Sequence, residues 1–229
     1  MSKAPGSGLR APDAGLHDSG AWTPPIQAPA VPWLRIEATL RAAYRSANPF
    51  KISARIPESD RRAAVAVVLW GDALGAREVV LVQRGFGAPQ HAGELALPGG
   101  MVEPRDRDLP ATARRELFEE LGVDRDLWEI GCFPDGVAKA QVRFTPVLFR
   151  WEAQEPAFRV DRELERVLRL PLAPLLEAPW SSERLTRQDI SLEVPRLELA
   201  LPDQGIGQIP LWGATAFVLK AWLDVLAGT

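Results

Sequence analysis

The sequence predicts a mixed α/β layer fold, and three observations predict it. Short β-branched runs such as "AAVAVVLW" (residues 63–70) and "REVVLVQR" (77–84) read as strands. Stretches such as "WLRIEATLRAAYR" (33–45) and "GATAFVLKAWLDVLAG" (213–228) place apolar residues at helical spacing. Strands come before, between and after the helices without strict alternation, which points to helices layered on a mixed sheet.

The elements follow in chain order. Residues 1–32 are rich in Pro, Gly, Ala and Ser. Such a stretch buries too little apolar surface to offset its ordering entropy, so it reads as a flexible or draped leader ahead of one domain at 33–229. A first helix starts at Trp33 and stops at Asn48–Pro49. "GDALGA" (71–76) turns one β-branched run into the next, giving a hairpin over 63–84. "GELALPGG" (93–100) alternates into a glycine pair and reads as another short strand. A helix follows, with Pro110 in its first turn and Gly122 just past its end, the asymmetry the two residues favour. "DLWEIGCF" (126–133) and "VRFTPVLFRW" (142–151) are expected strands. "DRELERVLRLPLAPLLEA" (161–178) reads as a helix broken at Pro171 and Pro174, and "RLELALP" (196–202) as a late strand. Phe217, Leu219, Trp222, Leu223 and Leu226 gather toward one side of a terminal helix.

Composition narrows the function classes. With 229 residues, 46% hydrophobic and 25% charged, the chain is an ordinary globule that needs no staples. A net charge of −3 supplies no basic field, so nucleic acid is not an expected partner. Cys132 is the only cysteine, which excludes a disulfide framework or a cysteine-ligated zinc within one chain. The apolar run at 63–70 is too short to span a bilayer, and the N-terminus lacks the apolar core of a signal peptide. A cytoplasmic location with no membrane partner is the expectation.

The densest chemistry lies in "LPGGMVEPRDRDLPATARRELFEELGV" (97–123). With successive helical residues about 100° apart, Glu116, Glu119 and Glu120 share one face, and Ala113, Leu117 and Leu121 form the adjoining apolar stripe. Like charges four residues apart are unfavourable, and no Lys lies four residues away to offset them. A divalent cation between the carboxylates resolves this, and oxygen-only ligands suit Mg²⁺ or Mn²⁺. Gly99 and Gly100, without side chains, let a backbone carbonyl approach the same ion. Arg115 is placed to orient the carboxylates by charge-assisted hydrogen bonds. A solvated acidic helix face is the plain alternative.

"RELFEELGV" (Arg115–Val123) resembles the Arg-Glu-Φ-x-Glu-Glu-x-Gly-Φ half of the Nudix box, Φ being apolar. Upstream, Gly100 is followed by five residues, then Asp106, then eight residues before Arg115. The commonest form of the box has Glu in place of this Asp and a loop one residue shorter. The longer loop, with "VLVQRGFGAPQHAGELALPGG" (80–100), is similar to the Nudix branch that cleaves coenzyme A. Arg84, Gly93, Pro98, Gly99 and Gly100 match that branch in place, whereas Val82, Gly85, Pro89 and Leu97 depart from it. The departure at Pro89, where the branch carries Arg, weighs most, because that Arg could serve substrate phosphates.

The resemblance implies a Nudix α/β/α sandwich with a mixed β-sheet between helices. It also implies a hydrolase that uses Mg²⁺ or Mn²⁺ to cleave a phosphoric anhydride. On this reading Glu116, Glu119, Glu120 and the Gly99 carbonyl are metal ligands. Glu119 and Arg115 serve catalysis, and Glu163 is the first candidate for a base outside the box, with Asp135 second. Arg84, Lys139 and Arg143 are candidate partners for substrate phosphates, each with a solvated surface charge as the plain reading. His91 reads as a loop-packing residue and Trp212 as an anchor. The expected partner is a small-molecule nucleotide, with coenzyme A giving 3′,5′-ADP and 4′-phosphopantetheine, and a homodimer is left open. The rivals are the same chemistry on ADP-ribose or another nucleoside diphosphate derivative, and a non-catalytic Nudix-like binding module.

Overall fold

A computed structural model describes residues 20–25, 28–45, 61–88, 91–138, 142–152, 157–187 and 190–228. The first helix, α1, runs Trp33–Arg45. The expected hairpin is β1 (Arg62–Asp72) and β2 (Gly75–Arg84), paired antiparallel about their connecting turn. The stop at Asn48–Pro49 lies outside the described residues.

The hairpin splays at its far end, and that end builds the site. Near the turn, β1 and β2 pair directly, from Asp72↔Gly75 to Leu69↔Val79. Further along, the single strand expected over residues 93–100 is two pieces, β3 (Leu95–Ala96) and β4 (Gly99–Met101). They fill the gap, with β3 on β2 and β4 on β1, and the Ala66 N–H donates to the Pro98 carbonyl at 2.7 Å. After α2 (Leu109–Leu121) come β5 (Leu127–Cys132), β6 (Gly136–Val137) and β7 (Arg143–Trp151). Strand β7 lies parallel to β1 and antiparallel to β5 and β6.

The segment expected to be a broken helix corrects that expectation. Residues Leu164–Pro171 form strand β8, antiparallel to β2, and only Leu172–Leu175 is helical, as α3. The pairing register shifts between Gln83 and Arg84, so Leu164 packs on one face of the sheet and Leu168 and Leu170 on the other. A spacing of four residues across such an irregularity mimics a helical turn in the sequence. The late strand is longer than expected. β9 (Ser181–Arg187), β10 (Ile190–Leu201) and β11 (Ile206–Leu211) form a separate antiparallel sheet ahead of α4 (Gly213–Ala227).

The continuous apolar run of β1 is explained by burial on both faces, as expected for a strand with a parallel neighbour and layers on each side. Ala64, Ala66 and Val68 pack with Ala113, Leu117 and Leu121 of α2, all buried. Ala63, Val67 and Leu69 join the opposite core with α1, α4 and the second sheet. There the Trp222 indole N–H donates to the Thr39 hydroxyl at 3.1 Å, tying α4 to α1. The fold is therefore α/β, a mixed sheet with helices on both faces. The described part of the leader is draped on the domain. Trp22 exchanges backbone hydrogen bonds with Glu198 and Ala200 beside β10, Val31 does so with Ala76 of β2, and both side chains are buried.

Leu117 is fully buried between α2 and the sheet. Leu117→Ala is expected to cost about 2–5 kcal/mol by leaving a cavity in that layer. Urea unfolding measures it, and an unchanged midpoint would mean the layer is not packed as described.

Candidate active site

Local signals define α2 and hence the direction of its glutamates. Asp108 caps the helix, its carboxylate accepting the Ala111 N–H at 2.7 Å, and Pro110 occupies the first turn. Gly122 closes it in the left-handed region at φ 70°, its N–H reaching the Leu117 and Phe118 carbonyls. With Ala113, Leu117 and Leu121 against the sheet, Glu116 and Glu120 fall at its margin, half-buried, and Glu119 faces outward. The apolar stripe read from the sequence is in place.

Gly99 is required by the backbone around it, and Gly100 by the place that the Glu116 carboxylate occupies. A Cβ on Gly100 would lie 2.3 Å from the Glu116 carboxylate oxygen. Gly99 sits at φ 156°, and a Cβ there would lie 2.4 Å from the Ala64 carbonyl. Gly99, Gly100 and Met101 also line an apolar cavity of about 200 Å³ with Val65, Phe144 and Thr215.

Arg115 joins the loop, the strand and the helix. Its Nε and Nη2 donate to Asp106 at 3.0 and 3.1 Å, and Nη2 also donates to the Met101 carbonyl at 2.8 Å. Its Nη1 donates to Glu116 at 2.8 Å and to Glu119 at 3.0 Å. Asp106 further accepts the Glu103 N–H and the Thr112 hydroxyl, both at 2.9 Å, so the one-residue-longer loop folds back onto α2. Arg115 holds the Asp106 carboxyl well below the usual carboxylate range, and Asp106 in turn is the main reason the guanidinium is raised. The expectation that nothing offsets the crowded glutamates is thus corrected. Arg115 itself stands four residues before Glu119, and Arg105 reaches Glu119 at 2.8 Å. Arg115 is the cation that the sequence marks for these carboxylates, whereas Arg105, in the loop, carries no local signal.

Glu120 is where the candidate groups converge. Burial, the charge of Glu116 and that of Glu163 push its carboxyl up to about 7, against the opposing effects of the Gly99 N–H and Arg84. Burial also raises Glu116, with Arg115 opposing. Arg84 lies 4.0 Å from Glu163. The Gly85 N–H donates to the Glu163 carbonyl at 2.8 Å, and the Asp161 N–H donates to the Glu120 carbonyl at 2.9 Å. The start of β8 is therefore tied both to β2 and to the end of α2, which brings Glu163, the candidate from outside the box, beside Arg84.

The other candidates are placed differently. Arg143 donates to Asp135, which also accepts the Thr145 hydroxyl and lies 3.6 Å from Arg62. None of the described contacts links Arg143 or Asp135 to the glutamates. Lys139 and Pro89 lie outside the described residues. His91 is exposed and pairs with Glu94 at 2.9 Å across its loop. Trp212 stands, partly buried, at the N-cap of α4.

The metal reading meets one agreement and one obstacle. Among the described residues, no three His, Cys, Asp or Glu side chains already converge to hold an ion. Glu119 is drawn toward the two arginines. Yet the Glu120 Oε2 is buried without a hydrogen-bond partner, an arrangement that is costly unless a cation or donor meets it. With Glu116 pressed onto Gly100 beside it, the donors are all oxygen and suit a hard divalent ion.

A carboxyl raised in the folded state from an ordinary 4.5 to about 7 gives stability that is present at pH 4.5 and lost as pH rises through 7. Glu120→Gln is therefore expected to unfold at higher urea than the parent at pH 8, by about 1–2 kcal/mol, with the gap closing at pH 5. A gap that persists at pH 5 would trace the gain to something other than this charge.

The NUDIX domain model matches residues 60–188, more than half of the chain. Nudix hydrolase 22, chloroplastic, of Arabidopsis thaliana is 30% identical over 164 residues, 69% of this chain and 53% of that protein. Nudix hydrolase NudL of Salmonella newport is 36% identical over 102 residues, 43% of this chain and 52% of that protein. The chain thus spans about half the length of these relatives. Among solved structures, a Caenorhabditis elegans Ap4A hydrolase complex aligns at a TM-score of 0.41 and 20% identity, covering 51% of this chain and 84% of that one. The domain match falls on the strands, glycine turn and glutamate helix described above, and the chain belongs to the Nudix hydrolase family.

Proposed function

We propose that the chain hydrolyses the diphosphate of coenzyme A or an acyl-coenzyme A, releasing 3′,5′-ADP and a 4′-phosphopantetheine. The observation that carries the hydrolase reading is the convergence of Glu116, Glu120, Arg84 and Glu163 beside the Gly99–Gly100 turn. The coenzyme A reading is supported by the stretch from Val80 to Gly100 and by the longer loop around Asp106. One specific feature favours a second reading, ADP-ribose or another nucleoside diphosphate derivative: Pro89 stands where the coenzyme A branch carries Arg.

Nudix hydrolases generally use divalent metal ions. Here Glu116, Glu119, Glu120 and the Gly99 carbonyl would hold Mg²⁺ or Mn²⁺, which when bound neutralises diphosphate charge and acidifies coordinated water. The chain's own groups have separate tasks. Arg115 fixes the rotamers of Glu116 and Glu119. Arg84, whose Nε is buried without a partner, offers its guanidinium to a phosphate oxygen. Glu163, exposed and next to Arg84, is placed to accept a proton from the attacking water. The cavity bounded by Gly99, Gly100 and Phe144 is too small for a whole coenzyme and takes an uncharged portion of it.

Incubation with Mg²⁺ or Mn²⁺ and a panel of coenzyme A, acetyl-coenzyme A, ADP-ribose, NADH and diadenosine polyphosphates tests this by product analysis. Release of 3′,5′-ADP is expected, with kcat lowered at least about a hundredfold by Glu119→Gln or Glu120→Gln. Cleavage of ADP-ribose alone would move the substrate assignment to the second reading. Cleavage of nothing in the panel, with metal bound, would favour the binding module or a substrate outside the panel.

A further inference from the structure

Glu119 differs from its neighbours in having both carboxylate oxygens engaged by arginines. Its Oε1 accepts from Arg105 Nη2 at 2.8 Å and its Oε2 from Arg115 Nη1 at 3.0 Å. The two arginines are not equivalent. Arg115 is only 11% exposed and is bound to Asp106, Glu116 and the Met101 carbonyl as well, so it has little freedom to leave. Arg105 is 62% exposed, and its other partner is the half-exposed Glu103, at 2.7 Å. Asp106, the next residue, is fastened to Arg115, Thr112 and the Glu103 N–H, so the backbone that carries Arg105 is held in place over Glu119. Arg105 is therefore a cation on a fixed base with a movable head.

We infer that Arg105 is a positioning residue that competes with the divalent ion for Glu119 and so weakens metal binding. The inference rests on the metal reading of the proposed function and deepens it. Any ion that takes Glu119 must share its oxygens with two cationic guanidinium groups or displace one, and Arg105 is the one able to swing away into solvent. Glu120, with an unpartnered oxygen, engages a cation without such an exchange. The metal site is thus one carboxylate with an open oxygen (Glu120), a second held by the buried Arg115 (Glu116), and a third (Glu119) restrained by the loop as well. The releasable part of the restraint comes from the loop residue immediately before Asp106, and Arg115 of α2 supplies the fixed part.

The test is Mn²⁺ binding to the full chain, followed by isothermal titration and by the loss of the free-ion electron paramagnetic resonance signal. Arg105→Ala is compared with Arg107→Ala, which removes the same charge two residues on, where Arg107 pairs with Asp108 at 3.3 Å. Arg105→Ala is expected to tighten Mn²⁺ binding about three- to tenfold at low salt, the gain shrinking as salt screens the exposed pair. Arg107→Ala is expected to change it less than about twofold, because only a distant charge is lost. Equal affinities for the parent and Arg105→Ala, or equal gains in both variants, would overturn the inference and leave the metal reading standing. No Mn²⁺ bound by any of the three chains would overturn the metal reading and this inference together.

Discussion

A guanidinium carries five N–H donors and no acceptor, so burying one obliges a chain to deliver acceptors from several segments at once. Arg115 imposes this obligation at the margin of the sheet. Asp106 answers from the loop, Met101 from strand β4, and Glu116 and Glu119 from the helix. The strand, the loop and the helix are thereby held in one arrangement, and the positions of the glutamates follow from it. A lysine could not substitute, since its single ammonium lacks the planar fork that spans Asp106 on one side and two glutamates on the other.

The splayed hairpin is the second constraint. A two-stranded ribbon that stayed zipped would leave no place for residues 95–101. Because β1 and β2 part, the short strands β3 and β4 enter between them and bring a backbone without side chains up against the glutamate helix. On its other edge β2 pairs with β8 along its length, which sets Arg84 beside Glu163, just ahead of β8. The two edges of β2 thus supply the glycine turn on one side and the Arg84–Glu163 pair on the other.

Much of this is legible in the residues, and what is not has physical reasons. Helix α2 is announced locally, by the proline at its start and the glycine past its end. Its glutamate face follows from helical geometry alone, and the hairpin follows from β-branched runs about a turn. Strand β8 is not legible, because its identity depends on pairing with β2 and its apolar spacing is altered by a register shift. Strands β9 and β11 are missed because "SSERLTR" and "IGQIPL" carry too few β-branched and aromatic residues to mark strands, and their partner β10 defines them. At the site, the three glutamates, Gly99, Gly100 and Arg115 stand out by pattern. Arg105 does not, because a loop has no periodicity that says where a side chain will reach.

The two faces of the sheet draw on different parts of the chain, and this has a consequence for synthesis. The layer that carries α2 is assembled from residues up to about β8. The opposite layer needs β10, β11 and α4, and closes only when Trp222 meets Thr39 and when β10 takes up Trp22. A nascent chain can therefore complete the α2 layer while the other face of β1, β2 and β8 still lacks its cover. During that interval Val67, Leu69, Leu81 and Leu168 form an adhesive surface. Residues 190–228 act for the newborn protein as a lid against aggregation, whatever they contribute to the finished site.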